Sequence, residues 1–109
     1  MDDRERIDVE KEIIIHYIFY PKSQRTEAHT HGLNRFGFRE LVIRQIDQKS
    51  AIVLNDIADM ILNEGVRLEL GDVITGVAVV PLTVVDDLDN YEEVPRFELV
   101  FPKEEKYKL

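Results

Sequence analysis

Apolar residues are spaced along this chain in two rhythms. From Ile13 to Tyr20 it reads IIIHYIFY, a β-branched and aromatic run of the kind that fits a pleated surface. PKSQRT then interrupts: Pro21 cannot continue a central ladder, and the residues after it suit a solvated connection. EAHTHGL returns as a short strand ending near Gly32, and FRELVIRQI, Phe38 to Ile46, alternates apolar and charged residues as a strand with one solvated face does. The rhythm next becomes helical. Leu54, Ile57, Ala58, Ile61 and Leu62 follow the i, i+3, i+4 spacing of one buried stripe, with Ser50 placed to cap the helix and Gly65 to stop it. VRLEL follows as an expected strand with Val66, Leu68 and Leu70 inward. Gly71-Asp72 forms a turn, and VITGVAVVPLTVV makes one long strand or two broken near Gly76 or Pro81. DDLDNYEE reads as an acidic loop, and RFELVF as a closing strand.

One main helix, about 50–64, against five or six strands defines an α+β fold, a mostly antiparallel sheet with the helix on one face. A length of 109 residues suits a single domain, 1–109, whose polar ends, 1–11 and 103–109, are expected to be frayed or peripheral. The hydrophobic content of 44% is enough for a packed core, which argues against disorder. A formal charge of −8 disfavours nucleic acid and anionic membrane surfaces as partners, since both demand a basic footprint. The chain has no cysteine, so disulfides, thiolate ligands and thiol nucleophiles are all excluded. The charged N-terminus is no secretory signal, and no apolar run approaches the roughly 20 residues that cross a bilayer. A soluble, cytoplasmic protein is the expectation.

The candidate chemistry centres on EAHTHGLNRFGFREL, which holds two of the three histidines. If IIIHYIFY and EAHTHGL form a hairpin across Pro21 to Thr26, Tyr20 faces Glu27, Ile18 faces His29 and His16 faces His31. Alternation then places His16, His29 and His31 on one face, together with Ile14, Ile18 and Leu33. Three convergent imidazoles match the ligand count of some catalytic zinc sites, so these residues are the candidate site for a zinc-like divalent transition metal, with Glu27 and Glu40 the nearest carboxylates in sequence. The competing structural reading has Thr30, His29 and His31 satisfying backbone groups beside a tight turn at Gly32, with no cofactor.

Catalysis by a serine or threonine nucleophile has little support: the two serines, Ser23 and Ser50, lie in no nucleophile-elbow context, and Thr30 points away from the histidines in a regular strand. Gly71 to Gly76 begins like a phosphate-binding loop, but Val77 and Ala78 stand where lysine and a hydroxyl residue belong. Asp86, Asp87, Asp89, Glu92 and Glu93 fail EF-hand spacing and read as a solvated acidic loop. Arg35, Phe36, Phe38 and Arg39 form a candidate pocket in which aromatic walls and two cations would hold a small anionic ligand.

The segment THGL at Thr30 to Leu33, followed by FGFREL at Phe36 to Leu41, the helix AIVLNDIADMILNEG and the Gly71-Asp72 turn, resembles bacterial domain-of-unknown-function families. In these a Thr-x-Gly-Leu/Met segment precedes a Phe-Gly-x-Pro-Glu-Leu strand and a helix, and Arg39 stands where the families often carry proline. The resemblance spans roughly Ala28 to Gly76 (less than half of the chain). It implies an α+β bacterial domain from which no catalytic residue carries over, and it groups Thr30, Gly32, Leu33, Gly37, Glu40 and Leu41 as one unit.

The expected function is therefore a non-enzymatic ligand- or protein-binding module, paired as a homodimer through an exposed strand edge formed by RFELVF or VITGVAVV. The alternative is a small metal-binding protein or metal-dependent hydrolase built on His16, His29 and His31.

Overall fold

The helical rhythm becomes α2, Ser50–Glu64, whose Val53, Leu54, Ile57, Ala58 and Ile61 are buried against one face of a six-stranded sheet. A computed structural model describes residues 6–22, 25–44, 50–77, 81–87 and 95–101. The strands are β1 (Ile14–Tyr20), β2 (Arg25–His31), β3 (Glu40–Arg44), β4 (Val73–Ile74), β5 (Leu82–Asp86) and β6 (Arg96–Val100). Their order across the sheet is β1-β2-β3-β6-β5-β4, antiparallel throughout except for the central β3–β6 pair. A parallel pair needs a long crossover, and the chain supplies it with α2, β4 and β5. The core lies between α2 and the sheet, where Ala28, Leu41, Ile43, Leu82, Val84 and Leu99 are almost wholly buried. Among the described residues, no helix is long and apolar enough to cross a membrane.

Gly65 adopts φ 75° and stops α2 as its position predicts, with the Val66 N–H donating to the Met60 carbonyl at 3.1 Å. The side chain of Ser50, the expected cap, lies outside the described residues, as do 88–94 of the acidic loop and the tail from 102.

Several sequence expectations are corrected. Residues 9–11, the end of the 1–11 stretch expected to be frayed or peripheral, lie in a helical turn, α1 (Val9–Glu12), that buries Val9 and leads into the buried Ile13. Asn63, outside the apolar stripe of α2, is buried because it binds this segment, accepting the Ile7 N–H at 2.7 Å and donating to the Ile7 carbonyl at 2.9 Å. VRLEL forms no strand, and Leu70 is exposed. The chain there is occupied with a turn in which Asp72 accepts the Glu69 N–H and Gly71 and Asp72 bond Val84. β3 has no solvated face along Glu40–Ile43, because neighbours on both sides and side chains on both faces enclose it. RFELVF is not an edge, since β6 sits between β3 and β5; the edges are β1 and the two-residue β4.

Candidate metal centre

The β1–β2 hairpin pairs Tyr20 with Arg25, Ile18 with Glu27, His16 with His29 and Ile14 with His31. The turn is therefore two residues shorter than the expected Pro21–Thr26 loop. A shift of two leaves every side chain on its expected face, because strand alternation has a period of two. His16 consequently lies opposite His29 rather than His31, and all three histidines still share one face. The register continues across the sheet, setting His16, His29, Val42, Glu98 and Val85 in one row on the face away from α2.

One ring nitrogen from each of His16, His29 and His31 lies within 4.8 Å of the others. His16 and His31 are exposed, while His29 is buried. The His16 and His31 ring centroids are 4.2 Å apart, and His29 lies edge-on to both. His29 Nδ1 is 3.0 Å from Glu27 Oε2, and His29 Nε2 is 3.0 Å from His31 Nε2. A carboxylate can only accept, so Nδ1 carries the proton and donates to Glu27, leaving the Nε2 lone pair directed at the cluster. Burial lowers the His29 pKa below its ordinary value; nearby Glu27 opposes that shift, while His31 and Arg96 add to it. The ring is thus kept neutral, the form that ligates a metal.

Glu27 is itself fixed. Its Oε1 accepts from Arg44 Nε at 3.2 Å. Arg44 Nη1 reaches Asp87 Oδ1 at 2.9 Å and Glu98 Oε1 at 3.1 Å, and Arg96 Nε donates to Asp87 Oδ2 at 2.8 Å. Desolvation would lower the Arg44 pKa, yet Asp87, Glu98 and Glu27 together raise it. Asp87 is no part of a solvated loop as expected: its side chain is fully buried between the two guanidinium groups. Three carboxylates around two guanidinium groups leave this network with an excess negative charge beside the histidines.

Glu40, the other carboxylate considered in the sequence, holds the turn instead. Its Oε1 accepts from Thr30 Oγ1 and the Leu33 N–H, and its Oε2 from the Gly32 and Asn34 N–H groups, all at 2.8–3.1 Å. Thr30 Oγ1 in turn accepts the Leu41 N–H at 2.9 Å, carrying the β2–β3 connection one step beyond the ladder's last pair, His29 with Val42. The structural reading therefore describes Thr30, whereas the rings of His29 and His31 contact Glu27 and each other. Gly32 has φ 126°, and a Cβ there would lie 2.5 Å from the Glu12 carbonyl oxygen. Gly37, at φ 89°, closes the 3-10 turn Leu33–Phe36, while Leu33 and Leu41 are buried in the core. Thr30, Gly32, Leu33, Gly37, Glu40 and Leu41 thus make up one packed turn.

The four residues of the candidate anion pocket separate into two pairs. Phe38 and Arg39 line a cavity of about 210 Å³ with Gly37, Ile61, Arg67, Leu68 and Phe97. There Arg39 stacks on Phe97 at 4.5 Å and pairs with Asp86 at 3.3 Å. Arg35 instead donates to the Glu12 carbonyl at 2.7 Å and lies over Phe36, and neither residue lines the cavity.

Sequence reasoning missed Arg44, Asp87 and Arg96 as supports of the site. Charges at alternate positions of β6 (Arg96 and Glu98) and at both ends of β3 (Glu40 and Arg44) were the available signal, but they read equally well as a solvated face. Comparison of the chain with protein-family models, curated proteins and solved structures gave no match, so its chemistry is argued from geometry.

Proposed function

We propose that this protein is a non-enzymatic binding module whose ligand is a zinc-like divalent transition metal, held by His16, His29 and His31. The observation that carries this reading is the Glu27–His29 hydrogen bond at 3.0 Å behind a three-histidine cluster. A carboxylate that fixes the tautomer of a ligating imidazole is the usual support of a metal site. Zinc–nitrogen bonds of about 2.0–2.1 Å in tetrahedral geometry separate ligand nitrogens by roughly 3.3 Å. The 3.0 Å between His29 and His31 is close to this value, whereas the three-histidine set, with nitrogens up to 4.8 Å apart, must close by about 1.5 Å around the ion. Three imidazole ligands leave one coordination position for water or a partner's side chain. Binding is favoured over hydrolysis because Glu27, the carboxylate nearest to hand for general-base work, is engaged on both oxygens by His29 and Arg44.

The test is metal content by mass spectrometry on untagged protein purified without chelator, beside a His29→Ala/His31→Ala double variant. Near-stoichiometric metal in the wild type and its loss in the variant is the expected result. A Glu27→Gln variant should retain the site with affinity weakened by about 10–100-fold. Metal-free wild type with no thermal shift on adding zinc, manganese, nickel or iron would overturn the proposal.

A further inference from the structure

Among the described residues, no further strand lies on the side of β1 away from β2, and the sequence of β1 lacks the devices that normally protect an edge. Natural edges carry charges, proline, bulges or very short strands. β1 is seven residues long and contains no charged residue, no proline and no glycine. It also exposes apolar side chains on both faces: Ile14 (57%) and Ile18 on the histidine face, Tyr17 and Phe19 (60%) on the helix face. The other edge, β4, is two residues long and is protected by its brevity.

We infer that β1 pairs with β1 of a second copy of this chain, joining two six-stranded sheets into one continuous antiparallel sheet. A two-fold axis perpendicular to the sheet must keep each face on its own side, so opposed residues have the same parity. Full overlap of Ile14–Tyr20 then selects the register centred on Tyr17. Tyr17 meets Tyr17 of the second copy, His16 meets Ile18, Ile15 meets Phe19 and Ile14 meets Tyr20. The chain's formal charge of −8 resists association elsewhere, whereas this edge is neutral. With roughly 150–250 Å² for each large side chain, the exposed parts of Ile14, Tyr17, Ile18, Phe19 and Tyr20 amount to about 500 Å² per copy. Two copies together offer at most about 1,000 Å² for burial, the lower bound for a specific interface. The two histidine clusters would lie on the same face, on either side of the seam.

The test combines light scattering over a micromolar dilution series with hydrogen exchange on wild-type protein in chelator, which separates it from the metal reading. The expected result is a dimer whose alternate β1 amides, those pointing away from β2, are protected and lose protection on dilution. Phe19→Lys and Ile18→Lys each alter an exposed side chain, so both variants should keep the wild-type circular dichroism spectrum. Each should weaken the dimer at least 100-fold, since an aromatic or aliphatic anchor is lost from both copies and a charge is set against Ile15 or His16 of the other copy. A wild-type monomer at tens of micromolar would overturn the inference. So would a dimer whose outward β1 amides exchange freely, or one that survives both substitutions.

Discussion

Replacing Glu40 by glutamine changes one atom and tests whether a single carboxylate holds the Thr30–Leu41 turn. Glu40 is 4% exposed, and each of its oxygens accepts two hydrogen bonds, one pair from Thr30 and Leu33 and the other from Gly32 and Asn34. Whichever way the glutamine amide is oriented, an NH2 group replaces one acceptor and meets donors. With the NH2 towards Gly32 and Asn34, two backbone N–H groups lose their partner. With it towards Thr30 and Leu33, the hydroxyl can rotate to accept, but the Leu33 N–H remains unpaired. Hydrogen bonds to a charged group contribute about 1.5–3 kcal/mol each, and leaving a buried donor unsatisfied costs about 1–3 kcal/mol. A net loss of about 3–5 kcal/mol follows, a large share of the 5–15 kcal/mol typical of a domain. At about 4 °C or more per kcal/mol, the midpoint of thermal unfolding should fall by at least ~12 °C. Urea unfolding followed by circular dichroism measures the difference directly. A loss below about 1 kcal/mol with an unchanged denaturant slope would refute the argument, because it would mean that the turn holds itself.

Gly32→Ala should destabilise the domain by about 2 kcal/mol or more, since it adds a left-handed backbone penalty to a Cβ placed 2.5 Å from the Glu12 oxygen; Gly37→Ala, which meets nothing within 4 Å, should cost less in the same urea assay. Asp87→Ala leaves Arg44 with Glu27 and Glu98 but takes from the buried Arg96 its 2.8 Å partner, leaving only the more distant Glu27 at 3.9 Å, and should cost about 3 kcal/mol by chemical denaturation; a loss no larger than that of an exposed ion pair would show the network to be slack. Because the His29 pKa is lowered in the folded state, the unfolded chain takes up the proton first as pH falls. The contribution of His29 is thus fully present above about pH 6.5 and is lost as pH drops towards the folded-state value, so the urea midpoint in chelator should be lower at about pH 5.5 than at 7.5. His29→Gln should flatten that slope, and a midpoint that rises on acidification would contradict the assignment.

Periodicity carried the element types further than it carried their surroundings. The α2 stripe and the IIIHYIFY strand were legible because each repeats one physical requirement many times over. The three-histidine face was legible for a related reason: spacing of two is preserved under any even register shift, so an error of two residues in the turn did not disturb it. Strand order was not legible, and it misassigned the edge. Nothing local in RFELVF reveals that β3 lies on one side of it and β5 on the other, because a charged residue that pairs within a sheet and one that faces water look alike in sequence. The burial of Glu40, Asp87 and Asn63 was not legible for the same reason. Each is buried because its partners arrive from segments distant in the chain or from backbone N–H groups, which periodicity does not register.

The two faces of the sheet illustrate how burial can serve different ends. On the α2 side, apolar area removed from water accounts for the fold. On the other side, Val42 is equally buried, yet its row neighbours are His29 and Glu98, and the adjoining pair is Glu27 with Arg44. Buried ion networks are weak sources of stability, because desolvation offsets much of their attraction and apolar residues of similar volume often serve as well. Stability alone therefore gives little reason for Arg44, Asp87 and Arg96 to occupy this face. Orientation gives a better one. An isolated Glu27 could swing between rotamers, and His29 would then lose its fixed tautomer. With Oε1 held by Arg44, and Arg44 held in turn by Asp87 and Glu98, the remaining oxygen has a defined position for the His29 Nδ1 proton. The network is an expensive way to build a sheet face but an effective way to aim one imidazole, which is why we read it as the support of a binding site.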